Sequence, residues 1–233
     1  MTISFRRHTF ATALLALSSL VLLPACSSST ADTDPDTAAT TLPYVGARDM
    51  QDAPMSSPAD TVYTIPAFTL TDQARQTVTN ATFKNKIYVT DFFFATCPDI
   101  CPKMQSAMLR VYEKYKNDPR VVFMSHTIDP AHDSIPVLRD YAERLGVTDA
   151  SRWHFVTAPH DTIFALAKSY MTGAQKDAGA PGGFAHTGSF ALVDAQRHVR
   201  GLYDGLNKNE VDRLIREIPV LLKESAESKP QQP

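Results

Sequence analysis

The chain has 233 residues and a formal net charge of −2, and 43% of its residues are hydrophobic. That length accommodates one domain of ordinary size with unstructured chain to spare. The near-neutral balance and the lack of a basic patch in the mature region speak against nucleic acid as a partner.

At the N-terminus, Arg6 and Arg7 precede an apolar stretch from Phe10 to Leu23 that is interrupted by Thr12, Ser18 and Ser19. A basic flank before an apolar core of this length reads as an export signal, too short for a comfortable membrane span. The stretch ends in Leu23-Pro24-Ala25-Cys26, which resembles the bacterial lipoprotein signal, in which cleavage leaves the cysteine as a lipidated first residue. A plain cleaved signal and an uncleaved anchor are the alternatives, and both also place the domain outside the cytoplasm. The resulting division is 1–25 signal peptide, 26–60 lipid attachment and tether, 61–224 folded domain and 225–233 disordered tail. Ser27 to Thr61 is built from Ser, Thr, Ala, Asp and Pro with Arg48 as its only basic residue, a composition that buries too little apolar surface to offset ordering.

Within the domain, Thr61 to Leu70 and Gln76 to Asn80 read as strands around a turn at Thr71-Asp72-Gln73. Lys86 to Phe94 is a continuous β-prone run, the pattern of a strand covered on both faces. Cys101 to Lys116 reads as a helix, with Met104, Met108, Val111, Tyr112 and Tyr115 at three- and four-residue spacing. Arg120 to Ile128 is a second buried strand. A helix capped by Asp133 or Ser134 then runs to Leu145 and stops at Gly146. Trp153 to Thr157 is a short strand, Asp161 to Met171 a helix, and Thr172 to Gly183 a loop rich in Gly, Ala and Lys. Ser189 to Asp194 and His198 to Tyr203 form a hairpin, and Lys208 to Leu222 a closing helix. This order predicts an α/β thioredoxin-like domain, a mixed central sheet flanked by helices with an inserted helix-strand segment and a β-hairpin. Right-handed crossovers would bring the first helix's N-terminus to the strand ends, where open α/β sheets keep their sites.

Three cysteines are present, and with Cys26 taken by lipid only Cys97 and Cys101 remain. A disulfide closing so short a loop contributes little stability, so the pair reads as chemical rather than structural. Cys97 falls in the loop leaving a buried strand and Cys101 at the start of a helix, whose dipole predicts an easily ionised thiol. Disulfide formation and joint metal ligation are both compatible with the spacing. Thiol-disulfide oxidoreductases of this fold usually place two residues between the cysteines and a cis-proline before the facing strand. Here three residues intervene, and the facing segment Gly182-Gly-Phe-Ala-His186-Thr-Gly-Ser offers a histidine. Two thiolates and an imidazole form a soft, low-coordinate set suited to copper, with zinc as the chemical competitor.

Cys97-Pro-Asp-Ile-Cys101-Pro, the later Ile128-Asp129-Pro130…Asp133, and His186-Thr-Gly-Ser before a hairpin together resemble the Sco/SenC family. The resemblance spans roughly Tyr63 to Leu222. It implies a thioredoxin fold, copper held by Cys97, Cys101 and His186, and a part in building the dinuclear copper centre of cytochrome c oxidase. The implied partners are the oxidase's copper-bearing subunit and another periplasmic copper chaperone or thiol reductant; the lipoprotein signal, a departure from family members held by a membrane helix, adds the membrane through lipid on Cys26, with the domain facing the periplasm or extracytoplasmic side. Asp129 is given a place near the site. Asp99 reads equally as a docking charge or a solvated loop residue. Met104 and Met108 could offer thioethers to Cu(I), but their spacing fits a helix face packed on the sheet. Two functions stay open: a metallochaperone passing copper by ligand exchange, and a reductase using Cys97 as nucleophile and Cys101 as resolving thiol to keep the oxidase's copper-site cysteines reduced. A peroxidase of the same fold is disfavoured, because no proline- and threonine-containing motif precedes Cys97.

Overall fold

The computed structural model describes residues 41–46 and 62–227. Strand β3 (Ile87–Phe93) is buried at every position, as its unbroken apolar pattern predicts, and it lies inside the sheet. It pairs in parallel with β4 (Val121–Thr127), from Ile87 opposite Val121 to Phe93 opposite Thr127. The crossover between them is α1 (Ile100–Tyr115), whose buried side chains include Cys101, Met104, Gln105, Met108 and Val111. The methionines are therefore core, each with no accessible surface.

Helix α2 (Ile135–Leu145) leads back to β5 (Trp153–Thr157), which pairs in parallel with β4. It ends as its sequence predicts, with Gly146 in the left-handed region at φ 87° and its N–H returned to Ala142 and Glu143 carbonyls. β1 (Thr69–Asp72) and β2 (Thr77–Thr79) form an antiparallel pair on the outer side of β5. After α3 (His160–Ser169) the chain makes a separate two-stranded ribbon, β6 (Ala174–Lys176) with β7 (Phe184–His186). β8 (Ser189–Val193) then joins β3 antiparallel, β9 (Val199–Asp204) completes the hairpin, and α4 (Lys208–Glu227) closes the chain. The main sheet has the order β2-β1-β5-β4-β3-β8-β9, the mixed sheet of a thioredoxin-like α/β fold. Helices α1 and α4 are joined by the Tyr115 hydroxyl donating to the Ile215 carbonyl at 2.6 Å and by Arg110 to Asp212 at 3.0 Å.

Several expected boundaries shift. The strand expected from Thr61 begins only at Thr69, because the preceding backbone is committed elsewhere: Ile65 N–H donates to Arg197 and Phe68 N–H to the Asn80 side chain. The turn falls at 73–75, where the Asp72 carboxylate accepts from the Ala74 and Gln76 N–H groups. Part of the expected loop Thr172 to Gly183 is β6, whose partner β7 lies eight residues beyond it in the chain. The last helix runs past Leu222 to Glu227 with Pro219 inside it. Within the stretch read as a tether, 41–46 is docked on the domain: Val45 bridges to Val199, and Arg200 donates to the Leu42 and Pro43 carbonyls. The expected signal peptide and the expected lipid site at Cys26 lie outside the described residues.

Met108 fills space under the sheet with no accessible surface. Its replacement by Ala should lower the unfolding free energy by about 2–5 kcal/mol, measured as a reduced urea midpoint.

Candidate metal centre

The site is assembled at the carboxyl end of β3. The three phenylalanines at 92–94 bury their rings, and the chain then leaves the sheet through Ala95 and Thr96 to Cys97. This exit is held by Asp133, a fully buried residue. One of its carboxylate oxygens accepts from the Ala95 N–H at 3.0 Å and from the Thr127 hydroxyl at 2.5 Å, while the other has no protein partner. Burial pushes the Asp133 carboxyl above its ordinary range. Helix α1 begins at Ile100 and turns Cys101 inward, leaving it 1% exposed, whereas Cys97 is half-buried.

His186 reaches the thiols from the far side of the chain, at the end of β7. Its Nε2 lies 3.2 Å from Cys101 Sγ, and the ligand atoms of Cys97, Cys101 and His186 all fall within 4.8 Å of one another. Both cysteines are free thiols. Phe94 forms an aromatic wall, edge-on to His186 at 6.1 Å and tilted against Phe184 at 5.4 Å. Gly182, at φ 76°, lets the 181–183 turn settle on this wall: a Cβ there would stand 2.6 Å from the Phe94 ring.

Burial dominates the electrostatics. It pushes the Cys101 thiol well above its ordinary value, further raised by the hydrogen bond with Cys97. This corrects the expectation of a readily ionised Cys101, since desolvation of the thiolate outweighs the partial charge of the helix N-terminus. Burial likewise holds His186 neutral, its pKa lowered to about 4. A neutral imidazole can accept the Cys101 S–H at Nε2, and the same lone pair is what a metal would take. Two sulfurs and one imidazole nitrogen, converging from α1, its preceding loop and the ribbon, form a donor set for a soft ion.

Residues 56–223 match the family model of SCO1/SenC. The chain belongs to the SCO1/SenC family. It is 28% identical over 162 residues to the SCO1 protein homolog of Bacillus subtilis, covering 67% of this chain and 81% of that one. A SCO1/SenC family lipoprotein from Bacillus anthracis superposes with a TM-score of 0.62 at 25% identity, over 68% of this chain and 95% of the other. BsSco, described as a member of the Sco family of cytochrome c oxidase assembly proteins, gives 0.61 at 25% identity, over 72% and 95%.

In this SCO1/SenC chain, the other residues singled out by sequence fall away from the three ligand atoms. Asp129 is buried and accepts from the exposed His132 at 2.6 Å, and it is not in the ligand group. Asp99 is exposed and pairs with Lys103 at 3.6 Å, a contact of little energetic weight in water. Asp133, read as a helix-cap candidate and as part of the family motif, braces the cysteine loop, and its side chain makes no cap bond. Phe94 was legible only as core, because its role depends on the ribbon arriving from residue 184. Asp91 carried a usable signal, being an acid inside an otherwise apolar strand.

The lowered His186 pKa fixes a sign. Between pH 6.5 and about 4 the unfolded chain protonates this histidine and the folded chain does not, so its contribution to stability is lost as pH falls through that window. Buried Asp91, raised to about 7, acts in the opposite direction, so the test is a comparison. The urea midpoint of the copper-free wild type should lose ground relative to His186→Gln as pH drops from 6.5 to 4.

Asp133→Ala should release the cysteine loop, raising hydrogen exchange at Ala95 by about tenfold or more, because the N–H loses its one acceptor. Asp133→Asn keeps an acceptor oxygen and should retain most of the protection.

Proposed function

We propose that this SCO1/SenC protein binds one copper ion through Cys97, Cys101 and His186 and delivers it to the dinuclear copper site of cytochrome c oxidase. The observation that carries the reading is the convergence of two free thiols and a neutral imidazole within 4.8 Å, drawn from segments 85 residues apart. Soft sulfur ligands favour copper over hard cations, and three donors leave room for an incoming ligand. Delivery by ligand exchange needs such an opening. Cys97 is the more accessible thiol and Cys101 is enclosed, so a partner's thiolate would engage the metal from the Cys97 side while Cys101 and His186 hold it. BsSco is described as belonging to a family of cytochrome c oxidase assembly proteins, which supports the oxidase as recipient.

The reductase reading draws on the same two thiols, with Cys97 attacking a partner disulfide and Cys101 resolving the mixed disulfide. It gives His186 no part in binding metal, so the histidine separates the two. The lipid on Cys26 would keep the site close to a membrane-bound recipient, with the domain on the extracytoplasmic side.

The deciding measurement is an anaerobic Cu(I) titration of the reduced, detergent-solubilised chain against a competing chelator. One tight equivalent is expected, weakened at least about tenfold, roughly 1.4 kcal/mol, by each of Cys97→Ser, Cys101→Ser and His186→Ala. Absence of competitive binding, together with a Cys97–Cys101 disulfide that exchanges readily with thiols, would transfer the protein to the reductase class.

A further inference from the structure

Below the three ligands lies a carboxylate that neither ligation nor thiol exchange uses. Asp91 belongs to β3, six residues before Cys97, and has no accessible surface. One of its oxygens accepts from the Ser125 hydroxyl of β4 at 2.5 Å and the other from the Gln105 amide of α1 at 2.6 Å. Ser125 in turn accepts from the Trp153 indole of β5 at 2.9 Å. Among the described residues no basic side chain bonds to Asp91. A buried carboxylate without a cation is retained against a large desolvation penalty, so its position calls for an explanation.

Gln105 lies about one helical turn after Cys101 on α1 and both are buried, so the hydrogen bond to Gln105 ties the carboxylate to the same buried face of the helix, where its charge acts on the Cys101 thiol. The titratable groups around it are Cys101 of α1, Tyr141 of α2 and His126 of β4, whose Nδ1 lies 3.2 Å from the Asp91 carbonyl oxygen. Burial is the main cause of the raised Cys101 and Tyr141 values, and the Asp91 charge acts on both in the same direction. His126 is held neutral by its own burial. No cation of this set offsets Asp91.

The consequence depends on the charge of the metal complex. Two thiolates and a neutral imidazole give a complex of net charge −1 with Cu(I) and 0 with Cu(II). A fixed anion nearby opposes the first and is nearly indifferent to the second. We propose that Asp91 sets the oxidation-state preference of the Cys97–Cys101–His186 site, its buried carboxylate weakening Cu(I) binding relative to Cu(II). This rests on the copper-binding reading above.

The test is Asp91→Asn in the full, detergent-solubilised chain, which keeps the side chain's shape and an acceptor oxygen while removing the charge. Cu(I) and Cu(II) affinities are measured separately by competition at pH 7.5, the former anaerobically and the latter with the thiols kept reduced. The expected result is a gain of about tenfold in Cu(I) affinity with less than about threefold change for Cu(II). Equal weakening of both ions would show a merely structural role and overturn the proposal, as would no change in either. If the variant does not fold, wild type carries the test through infrared difference spectra at pH 7. The Cu(I) form should gain protonated-carboxyl absorbance over the Cu(II) form, as the anionic complex drives a proton onto Asp91; no gain overturns the proposal. Wild type that binds neither ion would overturn the copper reading itself, a result distinct from copper binding that ignores Asp91.

Discussion

The parallel pairing of β3 with β4 along seven residues is the constraint on which the site depends. A strand paired on both edges and covered on both faces has little freedom, so its carboxyl end is a rigid point of departure. The loop carrying Cys97 leaves from that point, and the crossover helix that the parallel pairing requires begins with Cys101. Asp133, arriving just after β4, then fastens the loop by its Ala95 N–H. Both thiols are thus referred to one pair of strands.

The third member of the group obeys a different logic. His186 sits on a two-stranded ribbon outside the main sheet, joined to the site by the Cys101 contact and by the Phe94–Phe184–His186 aromatic group. Small isolated ribbons have marginal stability of their own. The arrangement therefore combines two candidate ligands on a stiff frame with one on a small ribbon outside it. Under the proposed copper delivery, which requires an ion to be gripped and later released, that division of labour is chemically sensible.

Burial dominates the electrostatics of the centre. Burial raises Cys101, Asp91 and Asp133 and lowers His186, each favouring the neutral form. A metal cation reverses this by stabilising both thiolates. With Cys101 held as the thiol and His186 as the neutral imidazole, ion entry is coupled to loss of the Cys101 proton.

The local sequence determined a good deal. Apolar runs long enough to be buried on both faces specified β3 and β4, three- and four-residue spacing specified α1, and Gly146 ended α2, because these signals act within a turn or a strand's length. The cysteine pair was legible for the same reason, its four-residue interval bringing both sulfurs to one loop–helix junction. His186 was legible as a candidate through its motif, but its distance of 3.2 Å from Cys101 was decided by contacts across 85 residues. The β6–β7 ribbon, the docking of 41–46 on β9 and the brace from Asp133 belong to the same class, since each needs a partner remote in sequence. The ionisation of Cys101 was decided by tertiary structure alone. A helix N-terminus is written in neighbouring residues, whereas the desolvation that overrides it comes from everything packed around the thiol.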